Sequence, residues 1–270
     1  MRATVLVDNI GNETVQGEWG LCIHIAYEET KLLLDGGASG LFAENAEKLG
    51  ICIEDVDLAV LSHAHYDHAD GLPEFLRRNG KAKLYLQKSC KANCYKREGP
   101  EEYRYIGMPE SLMQAEDRLV RADGDMEIMK GVWLLAHRTP GLAEKGEAEK
   151  LYRKEADGFQ PDDFAHEQSL VLDCPNGLVI FNSCCHGGAD NIIKEVRDAL
   201  PGRPVQALVG GFHLYNKTDE QVRALARGIR ETGIRRVCTG HCTGDRPFEV
   251  LQEELGDVVE HLRVGLVTDF

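Results

Sequence analysis

The hexapeptide His63-Ala64-His65-Tyr66-Asp67-His68, one residue beyond the apolar run Leu58-Ala59-Val60-Leu61, constrains this chain more than any other stretch. Three imidazoles and a carboxylate this close together make a poor core segment, because each polar group would need a buried partner. They suit a metal ion instead. Neutral imidazole nitrogen and carboxylate oxygen are donors for first-row transition metals, and alternate residues of an extended loop can face one ion while the next pair reaches a second. The apolar run ahead of the string predicts a strand that delivers it at its carboxyl end.

The rest of the chain supplies more strands of the same kind. Short β-type runs at 3–7, 21–27 and 31–34, with a turn at Glu28-Glu29-Thr30, precede a helix predicted over 39–49 and stopped by Gly50. The run 57–61 carries the histidine string, Pro73 opens a helix that ends at Asn79-Gly80, and 83–86 reads as the next strand. Later, 169–173 and 178–181 flank Pro175-Asn176-Gly177 as a hairpin. Asp190 caps a helix carrying Ile192, Ile193, Val196 and Leu200, and 205–209 and 235–239 are strands. Between those two strands, Thr218-Asp219-Glu220-Gln221 is a capping box ahead of Val222, Leu225, Ala226 and Ile229. Each half runs strands first and strand–helix alternation afterwards. That order predicts two sheets packed face to face with helices outside, in a single domain over 1–270.

The middle of the chain is less regular. Residues 87–166 show only two strand-like patches, at 118–120 and 132–135, and 141–163 is charged, Pro-bounded and poor in large aliphatics. The expectation is an irregular insertion or lid. Tyr103, Tyr105 and Tyr152 within it either line a pocket mouth or pack beneath a long loop.

Composition excludes some partners. A formal net charge of −14 argues against nucleic acid, whose phosphates need a basic face. The local exception, Lys81, Lys83, Lys88, Lys91, Lys96 and Arg97, reads as a solvated face, with a small anionic substrate as the minority reading. The apolar run at the N-terminus is too short for a signal peptide and no window approaches a membrane span, so a cytoplasmic protein without a membrane partner is expected. Nine cysteines, an odd number, then read as reduced thiols rather than a disulfide framework.

Five loops share one property. Asp35, the string His63 to His68, His186, His213 and His241 each follow an apolar strand within a few residues, and ligand sites gather beyond the carboxyl ends of strands in layered folds. Singly, His186, His213 or His241 would pass for a surface or core histidine; jointly, beside a metal-type string, they read as a site. His24, His137, His166 and His261 lack that setting. Cys184, Cys185 and Cys242 adjoin the candidate ligands, either as thiolate donors or as small buried side chains.

The His63-x-His65-x-Asp67-His68 string, Asp35 after a strand, Asn182-Ser183-Cys184-Cys185-His186 and Thr239-Gly240-His241-Cys242-Thr243-Gly244 resemble the successive motifs of the metallo-β-lactamase superfamily. His166-Glu167-Gln168-Ser169-Leu170 and Gly210-Gly211-Phe212-His213-Leu214 resemble one branch of it, which includes an archaeal synthase joining a dihydropterin to a ribofuranosyl-aminobenzene phosphate, along with bacterial relatives. The resemblance implies an α+β fold, an αββα four-layer sandwich of two mixed β-sheets flanked by helices. It implies that His63, His65 and His186 hold one divalent ion, that Asp67, His68 and His241 hold a second, and that Asp35 fixes the tautomer of a ligating histidine. Zinc is the expected ion, with manganese, iron and nickel as alternatives.

One departure is informative. The strand ending at Val209 should deliver an aspartate bridging both ions, and here the loop reads Gly210-Gly211-Phe212-His213. His213 is then a ligand, a proton donor or an ordinary neighbour. Without the bridge, Asp67 is left as the only anionic protein ligand, so weakly held metal and a site receptive to an anionic substrate are expected. The function expected first is hydrolysis of a small ester or phosphoester by a metal-bound hydroxide, with Asp67, His213 and His241 assisting. The alternatives are a transferase joining a dihydropterin methyl diphosphate to an aryl amine phosphate, and a non-catalytic or redox metal binder.

Overall fold

Strand alternation sorts the apolar side chains into three cores. In a computed structural model describing residues 1–270, Ile23 and Ile25 of the strand Cys22–Tyr27 and Leu32 and Leu34 of Thr30–Leu34 belong to one core. They share it with Leu170 and Leu172 of Gln168–Cys174, Val179 and Phe181 of Gly177–Phe181, and Ala207 and Val209 of Val205–Val209. The residues between them point the other way: Cys22 and Leu33 into a second core, Val171, Ile180 and Leu208 into a third. Both faces of these strands are therefore buried, which is why the runs are almost continuously apolar.

Helices close the two outer cores. Phe42, Ala43 and Ala46 of Leu41–Lys48, with Leu72 and Phe75 of Leu72–Arg78, cover the first. Ile192, Ile193 and Val196 of Ala189–Ala199, Val222, Ala226 and Ile229 of Asp219–Thr232, and Val250 and Leu251 of Asp245–Leu255 cover the second. The layers run helix, sheet, sheet, helix. Local signals hold where they were strongest: Thr218 and Gln221 form the reciprocal capping box, and Gly233 ends that helix with φ of 70°.

Each main sheet has seven strands and is half antiparallel, half parallel. In the first, Thr30–Leu34, Leu58–Val60, Lys83–Gln87 and Leu119–Ala122 run parallel. In the second, Gly177–Phe181, Val205–Val209, Arg236–Thr239 and Val259–His261 do. Every candidate metal-binding loop leaves the carboxyl end of one of these parallel strands.

The stretch 87–166 departs from expectation. Cys94–Arg97, Tyr103–Tyr105, Leu151–Glu155 and Gly158–Pro161 form a third, four-stranded sheet, a short helix spans Leu142–Ala148, and Leu119–Ala122, Met126–Met129 and Val132–Ala136 extend the main sheets. The strands are three to five residues long and carry charge on their open face, too brief for a periodicity to register. Their order comes from distant pairing, as in Tyr152 opposite Tyr95. Tyr103 stacks on Phe159 with ring centroids 3.7 Å apart and meets Tyr152 edge-on at 5.5 Å, so these rings pack within the third sheet.

Candidate metal centre

The site begins at a buried carboxylate. Asp35, in the left-handed region at φ of 60°, follows Thr30–Leu34 and is wholly buried. It accepts the Ser62 backbone N–H and the Ser62 Oγ hydroxyl at 2.7 Å each, Ser183 Oγ at 2.5 Å and the His68 ring at Nδ1 at 2.9 Å. A carboxylate there holds the proton on His68 Nδ1 and turns the Nε2 lone pair toward the site. The other rings are oriented in the same way. His63 Nδ1 lies 2.9 Å from Ser62 Oγ, and His241 Nδ1 lies 3.2 Å from Asn9 Oδ1.

The far nitrogens converge. Ring nitrogens of His63, His65 and His186 all lie within 4.8 Å of one another, and the ring centroids are 4.6–5.2 Å apart. Beside them, Asp67 Oδ2 is 3.4 Å from His241 Nε2, Asp67 Oδ1 is 3.9 Å from His68 Nε2, and the His68 and His241 rings are 5.0 Å apart. All these side chains are buried, yet Nε2 of His63, His65, His186 and His241 has no hydrogen-bond partner. Four orphaned imidazole nitrogens aimed at one small volume are costly as packing and suited to a metal ion, about 2.0–2.1 Å from each donor it takes.

Electrostatics fit the same use. Burial, helped by neighbouring histidines, pushes the His63 and His186 rings well below their ordinary range, and burial takes His65 to about 3, so these rings are neutral donors. Burial opposes ionisation of Asp67, but His68, His241 and His65 overcome it and hold its carboxyl well below the usual carboxylate range. Burial likewise opposes a charge on His241, while Cys242 and Asp67 raise it to about 9. That proton is one an arriving cation would displace.

His213 lies at the edge. Its φ is 50°, its ring is 4.5 Å from that of His186, its Nε2 is 3.8 Å from Glu149 Oε2, and its Nδ1 has no partner. The two glycines ahead of it stand where the backbone packs too closely for a side chain. A Cβ on Gly210 would overlap the Asn182 carbonyl, and one on Gly211 would stand 2.5 Å from Cys242 Sγ. No side chain fits at either position.

A pocket of about 240 Å³ opens over this centre. His65, Asp67, His213, Cys184 and Cys242 line its floor, and Trp19, Tyr66, Tyr215, Lys96 and Arg104 its walls. Of the basic run, Lys81, Lys88 and Lys91 pair at the surface with Asp57, Asp123 and Glu155, as a solvated face would. Lys96 instead turns to the pocket, 3.3 Å from the Tyr215 hydroxyl.

The sequence matches the model of the metallo-beta-lactamase superfamily over residues 20–163. The chain belongs to the metallo-β-lactamase superfamily. Among its relatives is a 7,8-dihydropterin-6-methyl-4-(beta-D-ribofuranosyl)-aminobenzene-5'-phosphate synthase of Methanocaldococcus jannaschii, 26% identical over 84% of this chain and 79% of the synthase. Among solved structures, Tm1679, described as a metal-dependent hydrolase of the β-lactamase superfamily, superposes with a TM-score of 0.84 at 28% identity, covering 100% of this chain and 99% of that one. Zn(2+)-bound PqqB of Methylobacterium extorquens shares the fold, with a TM-score of 0.57 at 12% identity and full coverage of both chains.

Within this superfamily site, the structure brings together all the histidines singled out beforehand, with Asp67 between them and Asp35 behind His68. Several neighbours were given no place in the site by the sequence, although His166 and Glu167 stand in a string that resembles the family. Glu167, wholly buried, accepts the His186 backbone N–H at 3.1 Å, and its other oxygen is 3.3 Å from His137. His166 accepts the Ala64 N–H at Nδ1 and meets Asp162 at 3.1 Å through Nε2. Trp19, whose ring is 5.0 Å from that of His241, precedes a strand without any local mark of function. Position relative to a strand end finds ligands; it does not find the side chains packed behind or above them.

Proposed function

We propose that this chain is a metal-dependent hydrolase of a small anionic ester or phosphoester. The observation that carries this is the set of four orphaned imidazole nitrogens, with Asp67, beneath a pocket walled by Lys96 and Arg104. In this reading His63, His65 and His186 hold one divalent ion and Asp67, His68 and His241 a second, with zinc first in line for such nitrogen-rich donors. The ions, when bound, supply Lewis acidity and an activated water. The chain's own groups do the rest. Asp67 accepts a hydrogen bond from the attacking water and orients it, His213 delivers a proton to the leaving oxygen, and Lys96 and Arg104 grip the anionic group. Trp19 and Tyr215, edge to face at 5.9 Å, form one wall of the pocket.

The test is elemental analysis of the purified protein together with turnover of a generic phosphodiester, a phosphomonoester and a lactone, with His65→Ala as control. Metal-dependent turnover lost in His65→Ala is expected, and Lys96→Ala or Arg104→Ala should raise KM for the phosphoester more than for the uncharged lactone. Bound metal with no turnover of any of the three would refute hydrolysis. A second reading, attack of an aryl amine phosphate on the methylene of a dihydropterin methyl diphosphate with diphosphate leaving, is favoured by the named activity of the relative at 26% identity and by aromatic walls suited to a flat ring.

A further inference from the structure

The missing bridge leaves a question of charge. Two divalent cations close together need an anion between them, and neither Gly210 nor Gly211 can provide one. A side-chain atom that can carry negative charge reaches donors of both ions: Cys184 Sγ. It lies within 4.8 Å of ring nitrogens of His63 and His186 from the first set, and of His68 and His241 from the second. It is 3.3 Å from His68 Nε2 and 3.4 Å from Cys242 Sγ. Donors sharing one tetrahedral zinc stand about 3.3–3.8 Å apart, given bonds of about 2.0 Å to nitrogen and about 2.3 Å to sulfur. The cysteine already sits at ligand spacing.

We propose that Cys184 supplies a thiolate that bridges the two metal positions, in place of the aspartate that the strand ending at Val209 lacks. This rests on the metal-dependent reading of the site. The sulfur comes from the loop after Gly177–Phe181, two residues ahead of His186, so the chain that gives one ion its third imidazole also gives the pair its anion. On metal entry the thiol proton leaves to solvent and the sulfur lone pairs bind both cations. Cys242 has a different place. Its sulfur accepts the His213 backbone N–H at 3.2 Å and stands 3.4 Å from Cys184 Sγ, so it is a positioning residue that holds the bridging sulfur from behind. Cys185, which turns away to the Asn182 carbonyl, has no part. A sulfur bridge also changes the expectation of weakly held metal: the pair regains an anionic ligand, and a soft one that favours zinc over manganese or magnesium.

The test is cobalt(II) substitution of the full chain, read by absorption. Wild type should show a near-ultraviolet sulfur-to-cobalt charge-transfer band, absent in Cys184→Ser and present in Cys242→Ser. Cadmium-113 NMR of the unmutated protein needs no variant to fold, and should place at least one resonance downfield of the range for nitrogen and oxygen ligands alone. Cobalt and cadmium uptake without either sulfur signature would overturn the bridge and leave the histidine site standing. Retention of the band in Cys184→Ser with its loss in Cys242→Ser would overturn the assignment to Cys184. Failure of wild type to take up any ion would remove the metal reading and this inference with it.

Discussion

Asp35→Asn is the sharpest perturbation of the metal centre, because it keeps shape and removes one charge. Asp35 Oδ2 receives three donors, Ser62 Oγ, Ser183 Oγ and the His68 ring, while Oδ1 receives the Ser62 N–H. An amide must put its NH₂ at one of those positions. At Oδ1 it faces the Ser62 N–H, donor against donor; at Oδ2 it faces three. Its less costly placement, at Oδ1, loses one charge-assisted bond outright and weakens the other three, for about 2–4 kcal/mol of stability. The larger consequence is at His68. A neutral amide oxygen holds the Nδ1 proton less firmly and makes Nε2 a poorer donor, so metal affinity should fall about 10–100-fold, or about 1.4–2.7 kcal/mol. Zinc titration against a competing chelator measures the affinity, and urea denaturation of the metal-free protein measures the stability separately. Affinity within twofold of wild type would refute the argument that Asp35 acts through the His68 tautomer.

Two further outcomes follow from buried groups outside the ligand set. Burial opposes a charge on His137, but Glu167 at 3.3 Å and Glu195 at 3.0 Å raise it to about 9, so the folded chain binds this proton more tightly than the unfolded one. Its stabilisation is whole below about pH 6.5 and fades as pH climbs to about 9, by at most about 3 kcal/mol; the melting temperature of metal-free wild type minus that of His137→Asn should shrink over that window, and a constant difference would refute it. Gly211→Ala forces a Cβ to 2.5 Å from Cys242 Sγ and 2.8 Å from the Ser183 carbonyl oxygen, and should cost about 1–3 kcal/mol in denaturant unfolding while lowering zinc affinity; an unchanged midpoint would show that the two loops can part freely.

The sequence was legible where one short stretch carries its own physics. Runs with both faces apolar marked the central strands, the Thr218 box marked a helix start, and three histidines with an aspartate in six residues marked a site, because solvation leaves such groups few other uses. It was less legible across 87–166, where strands of three to five residues gain order from partners far along the chain, and an irregular insertion or lid was expected where a third sheet stands. Of the tyrosines left open between a pocket mouth and packing, Tyr103 and Tyr152 pack within that sheet, while Trp19, Tyr215 and Arg104 wall the pocket.

By itself, then, the sequence determined the layered architecture and which histidines follow its strand ends, since both depend on residue type at local spacing. Only the tertiary structure decided which atoms face one another: Asp35 behind His68, Glu167 under His186, Lys96 turned in while Lys88 and Lys91 turn out, and Cys184 among both sets of rings. The physical reason is that a strand fixes the direction of its own side chains, whereas the distance between two loop ends is set by how the sheets beneath them pack.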